Sequence, residues 1–183
     1  MGIGQTAYAQ KKNNWSLQER ERAPLSAPYR VGALVIRPPR GFTFATSGDR
    51  SERSYFWLAK PIVEGQPATA FVVTTMELPA EDRKEIAKLS AEEIAVLYAK
   101  NFFKSWHDVK QSSWTEGTIN GMRFVRSAWW ATNKSDVKAH GIFYVTLYKG
   151  IPYICASSEP GSEKDSKHLR VSDQSSRSCT PAK

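Results

Sequence analysis

Alternating apolar and polar positions mark the second half of the chain as a series of β-strands joined by tight turns. The strand-like runs are Ser112–Ile119, Met122–Ala131, Lys138–Tyr148 and Ile151–Ser157. Asn120-Gly121 is the strongest turn signal between them, because both residues tolerate positive φ. Parallel neighbours need crossovers of a dozen residues or more, so these short turns predict a four-strand antiparallel meander.

The first half of the chain carries shorter strand signals. An apolar run at residues 34–36 ends at Pro38-Pro39, and Ser47–Arg53 has the composition of a polar loop. Tyr55–Ala59 and Ala70–Glu77 are rich in β-branched and aromatic residues and are bounded by turn formers, as is typical of strands. We expect these N-terminal strands to join the same sheet as the meander.

Two segments are predicted to be helices. Ser90-Ala91-Glu92-Glu93 fits the capping box at the start of a helix that continues to Trp106. Its apolar residues recur at helical spacing and form one stripe, which predicts packing on a sheet: Ile94, Leu97, Tyr98, Phe102 and Trp106. The second predicted helix, Ser162–Ser178, has few apolar residues and is expected to dock weakly.

The order of these elements predicts an α+β domain with helices on the faces of an antiparallel sheet. The sheet would combine the C-terminal meander with the N-terminal strands. Residues 31–183 are predicted to form this domain. Residues 1–30 lack a sustained apolar face and are interpreted as a signal remnant and flexible basic leader, extended or disordered, with Trp15 as an anchor.

The net charge of +8 on 183 residues is a weaker indication of nucleic-acid binding once the positions of the charged residues are considered. Residues 1–40 hold seven basic and two acidic side chains, so more than half of the excess lies in the leading segment. A folded nucleic-acid-binding domain usually clusters its cations on one face. We therefore expect no specific nucleic-acid partner, and weak binding of nucleic acid or an anionic surface through the leader stays an alternative. No apolar run is long enough to span a bilayer.

The N-terminus favours export, although it has three interpretations. Ala7-Tyr8-Ala9 before Gln10 fits the end of a secretory signal. Residues 1–6 also fit the myristoylation pattern, and the same segment could be an uninformative start. The favoured interpretation predicts a periplasmic, lumenal or extracellular protein.

The two cysteines, Cys155 and Cys179, are an even number, as one disulfide in an oxidising compartment would require. A bond between them would tie the last helix to the final strand. With no C-x-x-C motif present, a structural bond is favoured over a redox couple.

The residues that usually carry catalysis are scattered. His107, His140 and His168 lack a second ligand at helical or hairpin spacing, and His107 is expected to cap the end of the first helix. The chain has neither a G-x-S-x-G elbow nor a glycine-rich phosphate loop. We therefore predict no catalytic residue, no metal site and no cofactor.

Aromatic residues supply the best candidate for a binding surface. Both sides of the meander are partly apolar, because Trp129 and Trp130 are neighbours on one strand. Helices could cover both faces, or one face could stay partly open as a groove for a peptide, a small ligand or a partner protein. In the second case we expect Trp129, Tyr144 and Arg126 to border the groove.

Several short motifs resemble the PsbP/Mog-like fold, over roughly residues 31–179. They are residues 39–44, the helix at 90–106, Thr118–Gly121, and the closing strand and helix from Ile151 to Cys179. That family contains the lumenal PsbP subunit of photosystem II, Ran-binding Mog proteins and small exported bacterial proteins. The resemblance implies an antiparallel sheet with helices on its faces, and members that act as binding or assembly accessories. It supplies no catalytic residue.

The sequence thus favours an exported, non-enzymatic accessory or binding protein that acts through contacts with an unknown protein or small ligand. An enzyme whose active site is scattered along the chain is the second hypothesis. It predicts a concave pocket in which titratable side chains with perturbed pKa values converge.

Overall fold

The computed structural model describes residues 13–48, 52–62, 64, 67–76, 78–161 and 166–183. The strands, in chain order, are β1 (Asn13–Asn14), β2 (Tyr29–Val31), β3 (Leu34–Ile36), β4 (Thr43–Gly48), β5 (Arg53–Leu58), β6 (Ala70–Thr75), β7 (His107–Gln111), β8 (Thr115–Ile119), β9 (Met122–Thr132), β10 (Lys138–Tyr148), β11 (Ile151–Pro160) and β12 (Thr180–Pro181). The helices are α1 (Ala80–Ile86), α2 (Ala91–Phe102) and α3 (Lys167–Arg177).

The described residues contain one large sheet and one small sheet. In the large sheet the strand order is β1-β8-β9-β10-β11-β6-β5-β4, and β7 pairs with β9. The strands β8 to β11 are successive antiparallel neighbours, as the turn pattern predicts. Asn120 and Gly121 take φ values of +48° and +82°, which is the geometry that makes this dipeptide a hairpin turn. The small sheet has the order β12-β3-β2.

The sheet is mixed, so the expectation of a purely antiparallel sheet is wrong at one edge. β1 runs parallel to β8, with Asn13 beside Gly117 and Asn14 beside Thr118. The long chain between these strands removes the constraint that forces hairpin neighbours to be antiparallel. Gly117 permits the contact, because a Cβ there would lie 2.8 Å from the Asn13 carbonyl oxygen and from the Trp15 ring.

The first predicted helix forms, and its capping box is confirmed. The Glu93 amide donates to Ser90 Oγ at 3.1 Å, and the Ser90 amide donates to Glu93 Oε2 at 2.7 Å. The helix ends at Phe102 and continues as a short 3-10 turn over Phe103–Ser105. His107 therefore begins β7 instead of capping the helix, and its Nε2 lies 3.3 Å from Asp136 Oδ1.

Other boundaries differ locally from the predictions. The run expected as one strand at 112–119 is shorter, because β8 begins at Thr115, and a separate strand, β7, ends just before that run at Gln111. The expected polar loop at 47–53 is shorter, since β4 reaches Gly48 and β5 begins at Arg53. The last helix begins at Lys167, with Ser166 as its N-cap. The predicted start at residue 162 lies outside the described residues.

Both faces of the large sheet are covered. On one face, α2 packs on a layer that includes Trp129, Phe143 and Ala156. On the other face, α3 and the small sheet pack on Tyr144, Cys155 and their neighbours. The helix α3 buries one leucine and several small polar residues: Leu169, Ser172, Ser175 and Ser176.

Residues 13–30 pack on the domain instead of extending away from it. Leu17 and Leu25 are buried, and the ring of Trp15 meets that of Tyr144 edge to face at 5.6 Å. Arg177 of α3 donates from Nε to the Trp15 carbonyl oxygen at 2.7 Å. Its Nη2 also lies 3.1 Å from Glu21 Oε1.

Candidate functional site

The three residues expected to border a groove do not lie on one face of the sheet. Tyr144 is the cross-strand partner of Arg126, so these two side chains share a face. Trp129 pairs with Gly141 and points to the opposite face, because the side-chain period of a strand is two. There it is fully buried against the rings of Phe102 and Phe103. The three side chains therefore do not share one face of the sheet, although Arg126 and Trp129 both belong to residues that line the cavity described below.

Arg126 and Tyr144 belong instead to a polar network on the α3 face. Arg126 Nε donates to Tyr144 Oη at 3.0 Å, and Tyr144 Oη donates to Asp173 Oδ1 at 2.7 Å. The guanidinium also stands 5.5 Å from the centre of the Tyr144 ring. Arg177 Nη1 approaches Asp173 Oδ2 at 3.5 Å. This network joins β9, β10 and α3.

Tyr144 acts as a hydrogen-bond donor in this network. Burial raises the pKa of its hydroxyl, and the neighbouring Asp173 carboxylate raises the pKa further, while Arg126 opposes both effects. The phenol therefore keeps its proton at any physiological pH, and that proton is directed at Asp173. Tyr144 therefore cannot act as a general base.

Beside this network lies a cavity of about 490 Å³ between the sheet and α3, called here the α3 cleft. Its volume is within the range of small-molecule sites. Its walls combine apolar side chains with two arginines, one histidine and one carboxylate. The lining residues are Arg126, Ala128, Trp129, Trp130, His140, Gly141, Ile142, Leu169, Arg170 and Asp173.

His140 is the most deeply buried titratable side chain in the cleft wall, at 2% exposure. Its Nδ1 lies 3.0 Å from the Gly161 carbonyl oxygen. A carbonyl oxygen can only accept, so Nδ1 carries a proton, and when the ring holds that proton alone Nε2 is an acceptor. Among the described residues, Nε2 has no hydrogen-bond partner.

Two further cavities lack this combination of groups. One, of about 680 Å³, lies at the sheet edge next to the α3 cleft, with Trp130 in the wall of both. It adds Lys110 and Lys138 to the positive charge of this end of the molecule. The other, of about 370 Å³, lies beside α2 and is lined mainly by apolar residues. There burial raises the pKa of Tyr98 to about 12.

The described part of the chain contains no group of three His, Cys, Asp or Glu side chains placed to hold a metal ion. None of its helices has the length and apolar character needed to cross a membrane.

Cys155 and Cys179 are brought together as expected, but they are not bonded. Both thiols are fully buried and their sulfur atoms are 3.9 Å apart, whereas a disulfide needs about 2.05 Å. The predicted disulfide is therefore absent and the two cysteines are free thiols. The Cys155 thiol and burial together raise the pKa of Cys179 well above its usual value.

We expect oxidation to join these two thiols slowly, because both are fully buried and the raised pKa of Cys179 keeps its thiolate scarce. With oxidised glutathione, both cysteines lose a proton and an electron, one sulfur–sulfur bond forms, and the glutathione disulfide is reduced to two thiols. Mass spectrometry of the treated native protein should show the loss of two hydrogen atoms and a peptide linking Cys155 to Cys179. The variant C155A is the control and should form no internal bond. Stable mixed disulfides at both cysteines of the wild type would contradict the expectation.

No family model matches this chain, and no curated protein does. Among solved structures, it is similar to a cyanobacterial PsbP, CyanoP from Synechocystis, with a TM-score of 0.60 and 11% identity over 87% of this chain and 94% of that one. The chain has a PsbP-like fold. It is also similar to a crystal structure from Bacteroides thetaiotaomicron, with a TM-score of 0.55 and 10% identity. The match covers 86% of this chain and 49% of the Bacteroides chain. At such low identities the similarity concerns the PsbP-like fold alone. The description of the α3 cleft therefore depends only on this chain's own residues.

His140, Arg170 and Asp173 are the site residues that the sequence did not reveal. His140 could have been found, because it lies two and four residues before Ile142 and Tyr144 on the same face of one strand. Arg170 and Asp173 gave no comparable signal, since α3 is nearly thirty residues further along the chain and its docking angle is not encoded locally.

Proposed function

We propose that this protein is a non-enzymatic binding or accessory protein and that the α3 cleft holds its ligand or a group of its partner. The buried His140 Nε2 is the observation that carries this proposal. A buried polar atom without a partner costs on the order of 1–3 kcal/mol, and a bound group that donates to it would offset that cost. The same wall carries Arg126, whose position is fixed by its bond to Tyr144.

The composition of the cleft supports binding over catalysis. Among the described residues that line it, none has a hydroxyl or thiol that could serve as a nucleophile. Covalent catalysis needs such a group beside a base. Tyr144 is held as a donor by its raised pKa, and Asp173 already accepts a hydrogen bond from the Tyr144 hydroxyl.

An enzyme is the second candidate, and one observation favours it. His140, whose buried Nε2 has no partner among the described residues, lines the same cavity as two arginines, and such a group could remove a proton from a bound anion. The two candidates differ in what happens to a bound molecule. A binding protein returns it unchanged, and an enzyme consumes it.

Filling the cleft tests the proposal. Ala128 is partly exposed and lines the cleft, so A128L should occupy the cavity while leaving the sheet intact. We expect small molecules that raise the thermal midpoint of the wild type to lose at least about 1.4 kcal/mol of binding free energy in A128L, which is tenfold in affinity. The matched control is A45L, the same change at an exposed position of β4. It should bind as the wild type does.

Two results would contradict the proposal. One is equal binding by A128L and A45L, which would place the ligand outside the cleft. The other is turnover of the bound molecule by the wild type, measured as a change in the mass of that molecule after incubation. Turnover would show that the protein is an enzyme.

We also propose that the protein is exported to the periplasm, a lumen or the cell exterior. The support for export is the Ala7-Tyr8-Ala9 motif, which lies outside the described residues, together with two thiols placed close enough to be oxidised. The linked Cys155–Cys179 peptide in protein taken from its native source would support export, and free thiols there would oppose it.

Contact with nucleic acid or another anionic surface through the basic leader is a weaker alternative. Residues 1–12, which include two of its cations, lie outside the described residues. Of the arginines that follow in the leader, Arg22 pairs with Glu19 at 3.0 Å and Arg30 donates to the Gly32 carbonyl oxygen at 3.1 Å. These local bonds occupy part of the charge that such contact would use.

A further inference from the structure

The charges of the α3 cleft are suited to a single negative charge on the ligand. Among its described lining residues, Arg126 and Arg170 carry positive charge and Asp173 carries negative charge, so one positive charge is left over. Asp173 also accepts a hydrogen bond from Tyr144 and is near Arg177. A carboxylate therefore fits this site better than a phosphate dianion, whose second charge would be repelled by Asp173.

Both arginines have donors free for such a group. Arg126 uses Nε on Tyr144, and its Nη2 stands 3.7 Å from Asp173, which is longer than a hydrogen bond. The guanidinium of Arg170 has no hydrogen-bond or ion-pair partner among the described residues. Guanidinium groups hold carboxylates with paired, charge-assisted hydrogen bonds.

The remaining walls specify the rest of the ligand. Ala128, Ile142 and Leu169 present apolar surface, and Trp130 adds an aromatic ring. His140 Nε2 needs a donor from the ligand, since its Nδ1 proton already faces the Gly161 carbonyl oxygen. A hydroxyl group would supply that donor.

From these features we propose that the α3 cleft binds a small aromatic carboxylate that carries a hydroxyl group. The carboxylate pairs with Arg126 and Arg170, the ring lies among the apolar walls, and the hydroxyl donates to His140 Nε2. This inference rests on the proposed function, because it requires the α3 cleft to be the binding site.

The test uses four small aromatic probes on the full chain. They are p-coumarate, cinnamate (which lacks the hydroxyl), p-coumaramide (which lacks the charge) and phenyl phosphate (which carries a second charge). Isothermal titration calorimetry gives the affinities, and two-dimensional amide NMR shows whether the shifted resonances belong to cleft residues. We expect p-coumarate to bind at least about tenfold more tightly than p-coumaramide and several-fold more tightly than cinnamate, because hydrogen bonds between two charged groups are stronger than those of a neutral amide and the phenol adds one more hydrogen bond.

The variant R170Q removes one carboxylate partner from an exposed position on α3, where folding is not at risk. It should weaken p-coumarate about tenfold and leave p-coumaramide unchanged. The matched control K167Q removes one charge from the preceding turn of the same helix, outside the cleft, and should change neither affinity by more than about twofold.

The outcomes separate the two proposals. Phenyl phosphate binding in the cleft more tightly than p-coumarate would overturn the carboxylate inference and leave the cleft as the binding site. Equal affinity for p-coumarate and p-coumaramide would overturn it as well. If no probe shifts cleft resonances in the wild type and no screened compound depends on Ala128, both proposals fail.

Discussion

The variant G141A is expected to lose at least about 3 kcal/mol of folding free energy, at the upper end of what overpacking a core costs. Gly141 lies in the middle of β10, buried between β9 and β11. A Cβ there would overlap the Ser157 carbonyl oxygen and would stand 2.6 Å from Cζ2 of the Trp129 indole. The first obstacle is backbone of a neighbouring strand, so relief requires the sheet itself to move. Urea unfolding followed by tryptophan fluorescence measures the loss.

The control for G141A is G41A, an alanine placed where only backbone strain opposes it. Gly41 has φ +82° and no atom within 4 Å of a Cβ, so this change should cost about 1 kcal/mol. The double variant G141A/W129F removes part of the indole and should recover only a fraction of the loss, because the Ser157 carbonyl remains. A stability of G141A within about 0.5 kcal/mol of the wild type would contradict the close packing of Trp129 on β10.

The same region shows what the sequence could have specified about the site. The predicted runs 122–131 and 138–148 and the turn between them are close to what the structure has, because turns act locally. Once Thr132 is paired with Lys138, every later pair of the hairpin follows, including Arg126 with Tyr144 and Trp129 with Gly141. Fixing that register would have placed the Trp129 side chain on the opposite face from Tyr144 and Arg126.

Other features depend on contacts that no local pattern encodes. β1 meets β8 across about a hundred residues, so neither its pairing nor its direction follows from a turn. The helix α1 is mostly charged and has no apolar stripe to reveal it. The α3 cleft exists because α3 docks on the sheet through small serines and one leucine, a face that a hydrophobicity pattern underestimates. One weakly marked segment, α3, thus supplies both Arg170 and Asp173.

Docking of α3 through polar contacts leads to the second large effect, in the variant D173N. Asp173 accepts the Tyr144 hydroxyl proton and faces Arg126 at 3.7 Å and Arg177 at 3.5 Å. Its side chain is 19% exposed, so water replaces its contacts only in part. Removing its charge leaves Arg126 and Arg177 without their shared anion and leaves the buried phenol with a weaker, neutral amide acceptor, which should cost about 2–3 kcal/mol of folding free energy.

Two matched variants define how much of that loss comes from the network. Y144F removes only the hydroxyl and should cost about 1 kcal/mol. In the double variant D173N/Y144F the losses should not add, because the two groups share one hydrogen bond. E116Q breaks the exposed ion pair between Glu116 and Arg123, and we expect it to cost less than about 0.5 kcal/mol because solvent screens that pair. Urea midpoints at constant salt measure all four variants. Strict additivity of D173N and Y144F would mean that Arg126, Tyr144 and Asp173 do not act as one network, and α3 would then be held to the sheet by packing alone.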